Sequence, residues 1–416
     1  MNTRHTTHKA VLPFYIYAAL AFLAGTVLLA LPGTAFFAHY FHPNTLAVTH
    51  TMALGWGTMI ILGASHQLVP VLIEGTLYSN RLAYVSFCLA ALGIPLLVYA
   101  FYVFDMGWPA RAGGILINAA ILVYLINLFL SVSKSKHENV HVVFVFTAAI
   151  WLLFTTVLGL LLVYNFSTPI FSKDSLRYLP LHAHLGIAGW FLLLIIGVAS
   201  RLIPMFLISK YENTKLLWCI YGLINAGLLL FTALFLFFPA TAFHLAPLSL
   251  VIIALLLFGY YIYQSYRTRI RHKVDRPMQV SLLSVWMTVL PLLLLLIILV
   301  NNNQQLVLSY GFTIFFGWIT AIILGMTFKT LPFIIWNKVY HNRAGLGKTP
   351  DPKDLFNHKL FDMMAVAYIT GFVLFGSGIL LSSPVILKLA ALLLLVTAIC
   401  YNLNVFKVVY HAPDNK

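Results

Sequence analysis

The chain has 416 residues, 61% of them hydrophobic and 8% charged, with 25 Lys and Arg against 10 Asp and Glu. Long apolar runs with so little charge exclude both a soluble globular domain and a disordered polymer. The formal charge of +15 suggests nucleic acid as a partner, but its distribution along the chain excludes that.

In chain order, twelve segments are apolar enough to cross roughly 30 Å of hydrocarbon as helices rising about 1.5 Å per residue. They are expected at 11–31, 46–70, 82–104, 112–131, 140–163, 181–206, 216–238, 244–265, 279–300, 306–331, 361–382 and 385–409. The first follows a basic tail (Arg4, Lys9) and lacks a small-x-small cleavage site, so it reads as a membrane helix rather than a secretion signal. With the N-terminus inside, every Lys and Arg except Arg111, Lys173, Arg177 and Lys388 falls on the cytoplasmic side. That asymmetry predicts an integral membrane protein of the bacterial cytoplasmic membrane with both termini cytoplasmic. The basic excess is then a topology signal with an attraction to anionic lipid, and nucleic acid is not a partner. Cys88, Cys219 and Cys400 each fall in an apolar segment and are expected as buried small hydrophobes.

Three of these segments, the second, sixth and tenth, carry the same punctuation. His50, Trp56, Gly63 and Pro70 recur as His184, Trp190, Gly197 and Pro204, and again as Phe312, Trp318, Gly325 and Pro332. In each, the first residue precedes Trp by six positions, Gly follows Trp by seven and Pro by fourteen. Recurrence at a four-segment interval predicts one all-α membrane domain, 1–416, in three pseudo-symmetric four-helix repeats (roughly 1–135, 136–270 and 271–416) about an axis normal to the membrane. Gly allows close helix approach, and Pro near the cytoplasmic end bends or stops the helix. The Gly-Trp-Gly-Pro frame is scaffold, on which two copies add His where the third has Phe.

The longest connection, 337–359, contains Gly345-Leu-Gly-Lys348-Thr349, which lacks the first glycine and the strand–loop–helix setting of a phosphate-binding loop. All ten carboxylates fall in connections, tails or segment ends, which disfavours proton pumping. Asn118, Asn127, Asn225, Thr155, Thr156, Thr320 and Asn402 are the interior polar groups and suit interhelical hydrogen bonding.

His50, His182 and His184 lie near the non-cytoplasmic ends of the second and sixth segments. Ionisable side chains at membrane depth point to function, and imidazole is a ligand for haem iron and copper. His182 and His184 are two apart and diverge by roughly 200° on a helix, so they face different neighbours and suit two sites. His50 and His184 share a repeat position, so opposed imidazoles at matched depth would clasp one haem between the second and sixth segments. His39, His42 and His244 fall on the same side and are candidate further copper ligands. His66, roughly 24 Å along the helix from His50, belongs elsewhere and reads as structural.

Twelve segments in three four-helix repeats with a His-x-His motif resemble subunit I of the haem-copper oxidases. Thr49-His50 with Gln67-Leu-Val-Pro70 resembles that family's second helix, which implies His50 as a ligand to low-spin haem. His182-Ala-His184, followed by Gly197 and Pro204, resembles its His-x-His helix, which implies His182 on a second haem and His184 on the low-spin one. The chain departs from the family in carrying this motif on the sixth segment instead of the tenth. It also lacks a His-His pair on the seventh and His-Pro-Glu-Val-Tyr on the sixth, so a complete oxygen-reducing haem–copper site is not implied. It is also similar to the twelve-span haem- and copper-containing membrane proteins of the nitrosative-stress response (NnrS), through the early His and Arg201-Leu-Ile-Pro204.

The expectation is therefore a haem-binding membrane redox protein of the oxidase-subunit-I type, working in electron transfer or O₂/NO chemistry. It implies haem, with copper as a second candidate cofactor, a diatomic gas ligand, and an electron-donor protein or further respiratory-type subunits. The alternative is a non-redox transporter or assembly factor on the same scaffold, with histidines used only for packing.

Overall fold

The computed structural model describes residues 8–31, 39–134, 139–238, 244–301, 303–341 and 349–413. Twelve helices are long and apolar enough to span a bilayer: His8–Ala30, Pro43–Leu72, Asn80–Val103, Trp108–Val132, Val140–Asn165, Ser175–Leu207, Thr214–Phe237, Leu245–Arg267, Arg276–Val300, Gln304–Tyr340, His358–Leu380 and Pro384–Val409. They are called spans 1 to 12 below, and they make the chain an integral membrane protein. Among the described residues there is no strand, as expected where hydrocarbon offers no partner for an open ladder. Short polar residues start many of the spans. Asn139, Asp174, Asn213, Asp275, Asn303 and Asn357 each accept a backbone N–H of the first helical turn, which explains why two of the scarce carboxylates sit at span ends.

The spans pack as two compact units. One comprises Ser65–Ala100 and Phe104–Val274; the other comprises Thr7–Ala64, Phe101–Val103 and Asp275–Lys416. Within these units the motif spans 2, 6 and 10 repeat the same contacts. A side chain at Gly63 would strike Phe14 of span 1, 2.7 Å from its Cβ; at Gly197 it would strike Phe144 of span 5, and at Gly325, Ser281 of span 9. Each glycine thus lets the preceding span approach more closely than any side chain would permit.

A tyrosine from two spans further on closes each arrangement. Tyr124 of span 4 donates to Ser65 Oγ (2.9 Å), Tyr261 of span 8 to the Ser200 carbonyl (3.2 Å), and Tyr401 of span 12 shares a bond with Thr327 Oγ1 (3.0 Å). Three residues beyond Tyr124 and Tyr401, Asn127 and Asn404 bond both the N–H and C=O of Ser79 and Asn357, where spans 3 and 11 begin. The second copy has Gln264 at this position.

The other interior polar groups also link helices. Asn118 and Thr156 bond reciprocally, Trp151 donates to Asn225, Trp56 to Thr320 Oγ1 (3.1 Å), and Asn402 to the Ala19 carbonyl. Trp56 also stacks on Phe22, with ring centres 4.6 Å apart.

Two expectations need correction. Span 10 continues to Tyr340, past Pro332, instead of ending at 331. A membrane helix can carry proline internally where neighbouring helices and local adjustment satisfy the freed backbone group. Pro70 and Pro204 likewise lie inside their helices. Cys400 is buried, but Cys88 and Cys219 are exposed on the outer surface of the bundle. Acyl chains are as apolar as the interior, so a small thiol gains nothing from burial. Residues 345–348 of the glycine-rich connection lie outside the described residues.

Candidate functional site

Each motif span changes its winding at the same register. A π-helical stretch runs Thr51–Thr58 in span 2, Leu185–Leu192 in span 6 and Thr313–Ile319 in span 10. Each begins on the residue after His50, His184 or Phe312. Wide turns of this kind are rare and tend to occur at functional sites. Trp56, Trp190 and Trp318 lie within these stretches, and the Gly and Pro of each motif follow them.

His50 and His184 are held alike. The Nδ1 of His50 lies 2.8 Å from the Leu46 carbonyl, and that of His184 lies 2.7 Å from the Pro180 carbonyl, each four residues back. A carbonyl only accepts, so Nδ1 carries the proton and Nε2 of the neutral ring carries the lone pair. His182 Nδ1 donates to the Thr155 carbonyl of span 5 (3.0 Å), which gives the same tautomer. Its ring lies against Gly159, where a side chain would come within 2.8 Å of Cε1. All three rings are half-buried.

The rings face different neighbours. His182 meets span 5, whereas His184 packs on Phe231 of span 7, with ring centres 5.2 Å apart. Phe231 also contacts His244 (5.5 Å), which precedes span 8 and whose Nε2 is buried without a hydrogen-bond partner. Burial holds the His244 pKa below the usual imidazole value. His50 packs on Phe101 of span 3 at 4.5 Å. In span 10, Phe312 occupies the corresponding seat against Phe375 of span 11 at 4.6 Å, with Phe372 and Phe316 stacked beside it.

His39 and His42 have the opposite tautomer. Their Nδ1 atoms accept from the backbone N–H groups of Phe41 (3.0 Å) and Asn44 (3.3 Å); His42 thereby caps the start of span 2, and His39 bonds within the connection before it. His66 is buried against Tyr124, ring to ring, at 5.3 Å. Among the described residues, no three His, Cys, Asp or Glu side chains gather closely enough to hold a metal ion by themselves. A haem needs only one or two axial imidazoles, so His50, His182 and His184 fit the donor chemistry of haem ligands.

Sequence reasoning missed the phenylalanine seats, the backbone carbonyls and the pairing of His244 with Phe231. The only trace of these in the sequence is a Phe in the second half of spans 3, 7 and 11. In segments this rich in Phe, that trace is indistinguishable from background. No family model matches the chain, and no curated protein is significantly similar to it.

Proposed function

We propose that the protein is a haem-binding integral membrane redox protein, built from three four-helix repeats in the manner of oxidase subunit I. Its work is electron transfer or the binding of O₂ or NO. His50 and His184 are the proposed axial ligands of haem iron, and His182 serves a second haem or copper. His39 and His42 are left out, because their Nδ1 lone pairs accept backbone N–H groups of the connection and of the first turn of span 2. The orientation inferred from the basic residues places the ligand-bearing ends away from the cytoplasm, with an electron-donor protein or further subunits as partners.

One observation carries this reading. Three imidazoles have Nδ1–H fixed on a backbone carbonyl, which orients the ring and leaves the ligating lone pair on Nε2, the outer-shell arrangement usual for metal-bound histidine. When bound, haem supplies reversible one-electron chemistry, or a coordination position for a diatomic gas if one axial side stays open. The protein contributes ring orientation through the Leu46, Pro180 and Thr155 carbonyls, and apolar walls at Phe101 and Phe231. No carboxylate lies in the middle of a span, so no relay for proton pumping is proposed.

The third seat favours a second reading. Phe312 shows that the π-helical turn forms without histidine, as a transporter or assembly factor on this scaffold would require. Protein purified from a haem-competent host separates the two readings. The redox reading expects stoichiometric iron and a Soret band that shifts on reduction, both lost in His50→Ala and in His184→Ala. A colourless protein, or an unchanged spectrum in both variants, removes the redox reading.

A further inference from the structure

At the end of span 6 remote from His184, the chain builds a second surface whose residues take no part in the histidine sites. Span 6 closes on Ile208, a β-branched residue in the left-handed region at φ 53°. Such a conformation is strained and persists only where its surroundings hold it. What holds it is a staple between the connection leaving span 6 and the one leaving span 8. Ser209 and Arg269 form an antiparallel bridge, and the N–H groups of Ile270 and Arg271 donate to the carbonyls of Ile208 (3.2 Å) and Leu207 (3.4 Å). Ser209 Oγ and Thr268 Oγ1 share a bond of 2.9 Å, and Ser209 Oγ also accepts the Tyr211 N–H.

The stapled connections are strongly basic. Lys210, Lys215, Arg267, Arg269, Arg271 and Lys273 lie on them or on the adjoining turns, and Glu212 is the one acid from Leu207 to Val274. The Arg269 guanidinium carbon lies over the Tyr266 ring, 3.8 Å from its centre, and Arg269 donates to the Tyr266 carbonyl (2.7 Å), so its charge is held in place. Beside the cations, Met205, Ile208, Tyr263 and Ile270 are each more than half exposed. A phosphate ion or an acidic soluble partner would match the charge and leave these apolar groups uncovered. A molecule with an anionic head and an acyl tail matches both, as tyrosine and cations do at membrane interfaces.

We propose that this stapled pair of connections is a binding surface for anionic phospholipid, with the headgroup phosphate on the arginines and the acyl chain along Ile208, Ile270 and Tyr263. The reading stands whether or not the chain binds haem.

The test is native mass spectrometry of the full-length protein, released from nanodiscs of mixed phosphatidylglycerol and phosphatidylcholine. Wild-type protein is expected to retain phosphatidylglycerol selectively. In Arg267→Gln/Arg269→Gln/Arg271→Gln, retention should fall about fivefold for each cation lost. Arg177→Gln/Lys388→Gln, which removes exposed cations remote from the staple in sequence, should retain lipid as wild type does. If the triple variant does not fold, Lys210→Gln/Lys215→Gln carries the test with a smaller loss. Equal retention of the two lipids, equal loss in the Arg177/Lys388 control, or displacement of phosphatidylglycerol by millimolar inorganic phosphate would each overturn the proposal, the last in favour of a soluble phosphate ligand.

Discussion

Spans 6 and 10 have the same winding, the same buried Trp and the same glycine contact with the span before, but they fill the seat ahead of the π-helical turn differently. In span 6 it holds His184, with its Nδ1 on a carbonyl and one phenylalanine beside it. In span 10 it holds Phe312, locked in a stack with Phe316, Phe372 and Phe375. The turn therefore belongs to the scaffold, and the imidazole is an addition to it. Span 2 sides with span 6, so two seats hold an imidazole with its Nδ1 on a carbonyl and one holds a phenyl ring.

The sharpest way to break this comparison is to convert one seat into the other. His184→Phe should abolish the Soret band while leaving the melting temperature in detergent close to wild type, because the third copy shows that the seat accepts a phenyl ring. A variant that loses its fold along with its colour would mean His184 is structural. Emptying the structural seat should do the reverse. Phe312→Ala removes the centre of an aromatic stack and should cost about 3–5 kcal/mol of stability, read as a lowered melting temperature, with the spectrum retained.

The scaffold that the copies share can be tested at the glycines. Gly63→Leu, Gly197→Leu and Gly325→Leu should each destabilise by about 1–3 kcal/mol through overpacking against Phe14, Phe144 and Ser281. Similar losses at all three would support equivalent packing, and a neutral result at one would single out that copy. Smaller effects are expected where a tyrosine closes each arrangement. Tyr124→Phe, Tyr261→Phe and Tyr401→Phe should cost about 1 kcal/mol apiece by the same melting measurement.

The smallest effect is expected at His244. Burial depresses its pKa in the folded protein, so its contribution is fully present above the unfolded imidazole value and is lost as pH falls through the folded one. The melting temperature should therefore decline on acidification below about pH 6.5. His244→Gln should remove part of that decline, and an identical pH profile in the variant would show that His244 does not titrate with unfolding.

Much of this molecule could be read from its sequence. The twelve spans, the register of Trp, Gly and Pro, and the interhelical roles of Asn118, Asn225 and Asn402 are legible because their causes are local. Hydrocarbon thickness sets helix length, every backbone group must be satisfied within its own helix, and a polar side chain in an apolar segment must find a partner. His50, His182 and His184 were also visible as candidates, since imidazole is conspicuous in such company. The tertiary structure alone decided how those rings are held, that Pro332 lies within a helix, and that Cys88 and Cys219 face outward. It also decided which of the 32 phenylalanines in the chain back each seat, and that two short connections staple into a basic surface. These outcomes depend on carbonyls, rings and loops brought together from separate spans, and no residue's own chemistry specifies which distant partner it will meet.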